Sequence, residues 1–208
     1  MTHQSIVPSA ALEFGVKELY ATGLFSDLTI SCGGSTFKVH KVILHPQSSV
    51  FRALLSGKSK EAIEQEGTIT LDDDPKVLQV LLHYLYNFTY DDASRGEETE
   101  ASFAVRVYAV ADKYDVDPPR LVAAQKLSDF VIPTDGGREH FLAVVYAIAK
   151  YCNPKDTTLW DIIMPRMIAG IDRLADDAKL FALVQAMPVL NKALLKRKSI
   201  APAGARSI

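Results

Sequence analysis

The sequence contains few cysteines and no pattern that would bind a metal. Its two cysteines, Cys32 and Cys152, lie far apart, and no cysteine or acidic pair stands at ligand spacing from a histidine. The start of the chain is polar and lacks the apolar core of a secretory signal, so we expect reduced thiols and a cytoplasmic or nuclear protein. A chain of 208 residues can bury about 70% of its unfolded surface, so stability requires neither disulfides nor metals.

The sequence also lacks an excess of one charge and any long apolar run. It has 23 basic and 25 acidic residues, for a net charge of -2. Nucleic acid requires a concentrated basic face and membranes a polybasic patch, and this balance offers neither. No apolar stretch is long enough and free enough of charge to span a bilayer. The short basic cluster at 196–198 matches a nuclear-import patch. It suits the end of a helix better, because positive charges there interact favourably with the helix dipole.

Common catalytic motifs are missing as well. Gly33-Gly34 and Gly136-Gly137 do not belong to a phosphate-binding pattern, and there is no Gly-x-Ser-x-Gly sequence. His40 follows a predicted strand, and we interpret it as a structural histidine that holds backbone groups rather than as a ligand or a base. Trp160 is interpreted as a packing residue. We therefore expect no catalytic residue, no cofactor and no metal; a small-molecule pocket in the helical second half is an alternative that no motif supports.

Helical and strand patterns alternate in the first half of the chain. An amphipathic helix begins near Ala10, and Gly23 is placed to end it as a C-terminal cap. Apolar and polar residues then alternate over 28–32, which predicts a strand. Gly33-Gly34 predicts a two-residue turn into a second strand over 36–39. The sequence thus predicts a β-hairpin directly after the first helix.

Helices dominate the rest of the chain. A short helix follows a Ser48 cap, and Asp74-Pro75 predicts the start of another. Residues 91–100 are acidic and form a predicted loop, and 133–137 look like a linker. A third strand is predicted over 68–71, and further helices over 75–87, 101–114, 120–131, 141–151, 158–171 and 176–195, the last with a bend at Pro188. The pattern predicts an α+β first half and an all-helical second half.

Six motifs in the first 114 residues together resemble a BTB/POZ domain. They are Phe25-Ser26-Asp27-Leu28-Thr29-Ile30, Phe37-Lys38-Val39-His40-Lys41-Val42-Ile43-Leu44, Ser49-Val50-Phe51, Ile69-Thr70-Leu71-Asp72-Asp73-Asp74-Pro75, Leu82-His83-Tyr84-Leu85-Tyr86 and Tyr108-Ala109-Val110-Ala111-Asp112-Lys113-Tyr114. Their order and spacing agree over about ninety to a hundred residues, the size of a small domain. Tyr90-Asp91-Asp92 and the Ala-Asp-Lys-Tyr run look most like the large fungal branch of the family.

The resemblance implies a fold, a division of the chain and a kind of function. The implied fold is a cluster of helices with a short sheet on one side, followed by a helical extension. The chain would divide into a lead-in and helix (1–24), a BTB/POZ domain (25–117), the extension (118–197) and a disordered tail (198–208). The implied function is non-enzymatic: the domain dimerises or recruits a protein partner. The alternative is a substrate adaptor for a cullin-type ubiquitin ligase.

By the same resemblance, the N-terminal helix and the residues after it form a dimer interface. Four apolar residues would pack against a partner subunit, and two charged residues would pair near the dimer axis: Phe14, Val16, Leu19 and Leu24, with Asp27 and Lys41. The alternatives are that the helix packs on its own domain or on the C-terminal helices, that Asp27 caps a strand, and that Lys41 is a solvated surface charge.

A cullin surface would lie after the short helix that Ser48 caps. Cullin-binding relatives carry an apolar residue, any residue and then glutamate there, whereas this chain has Ser59-Lys60-Glu61. Serine cannot supply the buried apolar anchor, which is worth about 1 kcal/mol or more. This departure argues against the adaptor function, although Ile63 is an apolar residue nearby. A solvated, charged loop over 58–66 is the better interpretation.

Overall fold

The fold joins a three-stranded sheet to a series of helices. The computed structural model describes residues 10–57, 66–130, 137–169 and 178–186. The strands are β1 (Leu28–Cys32), β2 (Ser35–Val39) and β3 (Thr68–Leu71). The helices are α1 (Ala10–Thr22), α2 (Lys41–Gln47), α3 (Ser49–Ser56), α4 (Pro75–Asn87), α5 (Glu100–Lys113), α6 (Asp117–Asp129), α7 (Gly137–Tyr151), α8 (Thr158–Ala169) and α9 (Ala178–Ala186). The α+β class expected from the sequence is confirmed.

β1 occupies the centre of the sheet. Ile30 lies opposite Phe37 in the antiparallel pair with β2 and opposite Ile69 in the parallel pair with β3. Gly33 and Gly34 both have positive φ, at 52° and 81°, as a tight hairpin turn of this length requires. The predicted hairpin is therefore confirmed. Parallel pairing requires a crossover, and the segment that contains α2 and α3 supplies it.

Side-chain caps set the starts of two helices, as the sequence predicts. The Ser48 hydroxyl accepts a hydrogen bond from the Phe51 N–H at 3.0 Å at the start of α3. The Asp74 carboxylate accepts from the Lys76 N–H at 2.8 Å, and Pro75 occupies the first turn of α4. Each cap satisfies a backbone donor that has no partner within the helix. These helix starts are consequences of local sequence.

Several helix boundaries differ from the sequence prediction. α6 begins at Asp117 rather than at 120, because prolines fit the first helical turn, where backbone N–H groups have no helical partner. α7 begins at Gly137 rather than at 141, and a short 3-10 turn (Ala93–Arg95) lies inside the predicted acidic loop. The expected bend at Pro188 and the expected disordered tail at 198–208 lie outside the described residues.

One contiguous apolar core connects the sheet to the described helices. α4 and α5 each contribute more of it than any other described element, and α5 packs against α4, α6 and α7. The ring of Phe51 stacks on that of Tyr114 with centroids 4.8 Å apart. The helices after 117 also join this core, through residues such as Phe141 and Trp160, which are 2% exposed. The packing prediction for Trp160 is confirmed.

A hydrogen bond between α5 and the turn before α8 ties the helical extension to the core. The Tyr108 hydroxyl donates to the Asp156 carboxylate at 2.6 Å. Burial by itself raises the pKa of Asp156, but hydrogen bonds from Thr158 and Tyr108 outweigh burial and lower it. The folded protein therefore holds this carboxylate in its charged form.

Among the described residues, none of the helices could cross a membrane.

Candidate protein interface

α1 rests on the rest of the protein through one face only. None of its residues is fully buried, and α4 is the element that it contacts most. The Tyr20 ring stacks on Tyr86 with centroids 4.8 Å apart and meets His83 edge-on at 6.3 Å. Burial raises the pKa of Tyr20 to about 12, so its hydroxyl stays protonated. The helix is thus anchored at its C-terminal end by aromatic contacts.

Large apolar side chains remain exposed on α1, on the loop after it and on α2. They are Leu12 and Phe14 on α1, Leu24 and Phe25 in the loop, and Val42 on α2. Phe14 is 66% exposed and Phe25 is 87% exposed. We call these five residues the N-terminal apolar surface. Apolar groups of this size exposed in one region of a monomer are typical of a site that binds another protein.

Of the four apolar residues predicted at the dimer interface, two are exposed and two are partly buried. Phe14 and Leu24 belong to the N-terminal apolar surface, whereas Val16 and Leu19 are only partly exposed. Val16 packs against the core of its own chain. Its side chain therefore anchors α1, as the alternative of packing on its own domain expects. The dimer role of these four residues stays a prediction.

Asp27 caps a helix. Its carboxylate accepts a hydrogen bond from the Lys41 backbone N–H at 2.8 Å, at the first residue of α2. The N-cap residue itself, His40, makes no side-chain capping bond there. The interpretation that Asp27 caps a strand is therefore wrong, because the carboxylate lies at the start of a helix instead. Within the described ranges, no ion pair joins Asp27 to the Lys41 ammonium group, and a pair across a dimer axis stays a prediction.

His40 is a buried connector between the loop and the core. It is 4% exposed, and its Nε2 lies 2.7 Å from the Leu24 carbonyl oxygen. A carbonyl oxygen only accepts, so Nε2 carries the proton in the neutral ring, and Nδ1 accepts from the Tyr86 hydroxyl at 2.9 Å. The same hydroxyl oxygen accepts the His40 backbone N–H at 2.7 Å. Burial raises the pKa of Tyr86, so this donor is retained. His40 is structural, as the sequence predicts.

Phe25 holds an unusual backbone conformation. Its φ is 60°, in the left-handed region that residues other than glycine rarely adopt. Such a conformation costs about 1–2 kcal/mol, and an 87% exposed ring recovers little of it by burial in its own chain. Strain of this kind is concentrated at functional sites. The sequence analysis used Phe25 only as part of a motif. Its position two residues after Gly23, the glycine that follows α1, is the signal that could have singled it out.

A shallow groove between α2 and α3 extends the region beside Val42. It encloses about 460 Å³ and is lined by Lys41, Val42, His45, Pro46 and Leu55. Its walls are mainly apolar, with the charged residue at one end. The cullin-contact candidates would follow α3 in the chain, but Ser59, Lys60, Glu61 and Ile63 lie outside the described residues. The adaptor function therefore has no structural support here.

A second groove, between α5 and the end of α7, contains no chemically activated group. It encloses about 500 Å³, and its charged side chains are held in ion pairs. Lys113 Nζ lies 2.8 Å from Asp73, and Arg106 lies 2.6 Å from Asp74. Burial raises the pKa of the Cys152 thiol at its edge to about 12, so this sulfur is not a nucleophile near neutral pH. Among the described residues, no group of histidines, cysteines and acidic residues could hold a metal ion.

Comparison with known proteins identifies the family. The sequence model of the BTB/POZ domain matches residues 16–130, more than half of the chain, from within α1 to the end of α6. The chain belongs to the BTB/POZ family. Proteins of this family are generally non-enzymatic modules that dimerise and bind protein partners.

Several curated proteins are similar over this region. The human Kelch repeat and BTB domain-containing protein 4 is 35% identical over 94 residues, which cover 45% of this chain and 16% of that protein. BTB/POZ domain-containing protein 1 of Schizosaccharomyces pombe is 41% identical over 76 residues, which cover 31% of this chain and 6% of that protein. TD and POZ domain-containing protein 5 of Mus musculus is 28% identical over 120 residues, which cover 58% of this chain and 34% of that protein. The chain therefore spans between 6% and 34% of the length of these relatives.

The structure of the BTB domain of human Gigaxonin is also similar. It has a TM-score of 0.44 and 16% identity, and the match covers 60% of this chain and 98% of that domain.

Proposed function

We propose that this chain is a non-enzymatic module that binds proteins and associates with a second copy of itself through the N-terminal apolar surface. The observation that carries the proposal is the exposure of Phe14, at 66%, on a helix that is anchored by its opposite face, and of Phe25, at 87%, in the loop that follows it. In water these rings are unfavourably hydrated, and a partner that covers them removes that cost. A second copy presents the same surface, so a two-fold interface would be self-complementary.

The size of the surface sets the strength of the association. Complete burial of a large apolar side chain contributes about 1.5–3 kcal/mol, so five such residues on each of two copies contribute at most roughly 15–30 kcal/mol per dimer. The loss of freedom on association costs about 4–15 kcal/mol per dimer. The balance favours association, and the removal of one of these side chains from each copy should have a measurable effect. Asp27 and Lys41 lie beside this surface, and their pairing across the two-fold axis is part of the proposal.

The finer assignments rest on the sequence. We place the chain in the fungal branch, which the 41% identity with the Schizosaccharomyces pombe protein supports. We place the protein in the cytoplasm or the nucleus, in keeping with two cysteines that do not pair with each other. The proposed division assigns 25–117 to the BTB/POZ domain and 118–197 to the extension.

Two matched phenylalanine substitutions test the proposal. Phe14→Ala removes a ring from the N-terminal apolar surface, and Phe181→Ala removes a similarly exposed ring, 61% against 66%, from α9. We expect the native chain and the Phe181 variant to dimerise alike in sedimentation velocity over a concentration series. The Phe14 variant should dissociate at concentrations about tenfold higher, because each copy loses buried apolar area. A native chain that is monomeric at every concentration, or two variants that behave alike, contradicts the proposal.

A further inference from the structure

We infer that the buried pair of His40 and Tyr86 positions the Leu24–Phe25 loop for binding, so that self-association depends on two side chains that the partner cannot touch. His40 is 4% exposed and Tyr86 is 0% exposed. The inference rests on the proposed function, because it assigns the device that shapes part of the proposed surface.

The loop is connected to the core through a short chain of hydrogen bonds. The Leu24 carbonyl accepts from His40 Nε2 at 2.7 Å, and Tyr86 orients the imidazole through Nδ1 at 2.9 Å. Tyr86 belongs to α4 and is 46 residues from His40 in the chain, and it also stacks on Tyr20 of α1. Tyr86 and His40 together thus connect α4, the start of α2, the loop and α1.

The other hydrogen bonds made at Gly23, Leu24 and Ser26 reach only near neighbours in the chain. The Gly23 N–H donates to the Leu19 carbonyl at 2.9 Å, and the Ser26 N–H donates to the Gly23 carbonyl at 3.3 Å. The Leu24 N–H donates to the Thr22 hydroxyl at 3.3 Å. These bonds shape a local turn but do not fix where the turn lies on the protein. The Asp27 carboxylate attaches the end of the loop to α2 at Lys41, and the bond from His40 supplies the position of Leu24, next to Phe25.

The left-handed backbone of Phe25 makes this position matter. A strained residue keeps its conformation only where the surroundings over-determine it. Leu24 is the residue directly before Phe25, so the bond at its carbonyl restrains the peptide plane that leads into the strained position. Without that bond, the loop can relax to ordinary backbone angles, which direct the Phe25 ring elsewhere. Only a fraction of the molecules would then present the ring for binding, and the apparent affinity of the dimer falls by that fraction for each of its two copies.

Two substitutions of His40 separate its two ring nitrogens. Asparagine reaches about as far as Nδ1 and cannot donate to Leu24, whereas glutamine carries an amide donor at about the reach of Nε2. We expect His40→Asn to raise the dimer dissociation constant about a hundredfold, because both copies must present the loop and a competent tenth of each copy enters the constant squared. His40→Gln should retain most of the native affinity. Tyr86→Phe, which keeps the ring stacked on Tyr20, should weaken binding in the same direction and provides the test if His40→Asn does not fold.

Phe25→Ala is the reference that separates positioning from overall stability. If His40 acts through Phe25, His40→Asn should have almost no effect on dimerisation in the Phe25→Ala background. Additive effects of the two changes would overturn the inference, because they would indicate a general loss of stability. If Phe25→Ala weakens dimerisation and His40→Asn does not, the inference is wrong and the proposed function stands.

Amide hydrogen exchange in the dilute monomer tests positioning without dimerisation. We expect His40→Asn to increase exchange at Leu24–Ser26 about tenfold relative to the native chain, and His40→Gln to increase it less. Unchanged exchange in the asparagine variant overturns the inference. A native chain that never dimerises, but whose loop opens in this variant, overturns the proposed function while the positioning role is retained.

Discussion

Replacement of Asp27 separates two roles of one carboxylate, because one role affects the single chain and the other affects the dimer. The carboxylate oxygen accepts the Lys41 N–H at 2.8 Å at the start of α2. Alanine removes the acceptor, whereas asparagine offers a carbonyl oxygen of similar reach. We expect Asp27→Ala to lower the free energy of unfolding by about 1 kcal/mol, the usual cost of a lost helix cap, and Asp27→Asn to leave it nearly unchanged. Urea unfolding of the dilute monomer measures both values.

The dimer provides the second measurement for the same variants. If Asp27 also faces Lys41 of a second copy, a two-fold dimer contains two such pairs, each worth about 0.2–1 kcal/mol where exposed. Asp27→Asn should then raise the dissociation constant roughly two- to thirtyfold, and the difference from the native chain should shrink at high salt.

Two results would refute this account of Asp27. Equal destabilisation by alanine and asparagine would show that the hydrogen bond to Lys41 does not stabilise α2. Equal dimerisation of the native and asparagine chains would remove the charged pair from the interface and leave Asp27 as a helix cap alone.

Two further predictions concern the fold. Gly33→Ala should destabilise the chain more than Gly34→Ala in thermal unfolding. A Cβ added at Gly33 would lie 2.9 Å from Cδ of Pro75, whereas a Cβ added at Gly34 would have no described atom beyond its chain neighbours within 4 Å. Each change also adds the left-handed cost of about 1–2 kcal/mol, so equal losses would contradict the steric argument. Asp156→Asn should lower the unfolding free energy near pH 7. Because folding lowers the pKa of Asp156, its charged form stabilises the fold above the ordinary value of 3.8, and this contribution disappears as the pH falls through the lowered pKa. The difference between variant and native chain should therefore narrow in strong acid, and a difference independent of pH would contradict the assignment.

Local sequence determined the elements whose causes lie within a few residues. Alternating apolar residues over 28–32, with Gly33-Gly34 after them, specified the hairpin, since only residues that tolerate positive φ complete so short a turn. Asp74-Pro75 specified the start of α4, because the Asp74 carboxylate caps the helix and proline fits its first turn. The order and spacing of the six motifs also indicated the BTB/POZ family by resemblance, which the match over 16–130 confirms.

Tertiary structure alone decided how the candidate surface is built. The sequence indicated that His40 holds backbone groups, but the bond to Leu24 and the orienting hydroxyl of Tyr86 require side chains that are 16 and 46 residues away from His40. The left-handed backbone and exposed ring of Phe25 follow from how the loop is attached, and no periodic pattern encodes them. Asp27 likewise matched a strand start by sequence and caps α2 in three dimensions. Periodicity reports which face of an element is buried, whereas tertiary packing decides which residues far apart in the chain come into contact. The candidate surface depends on contacts of this second kind.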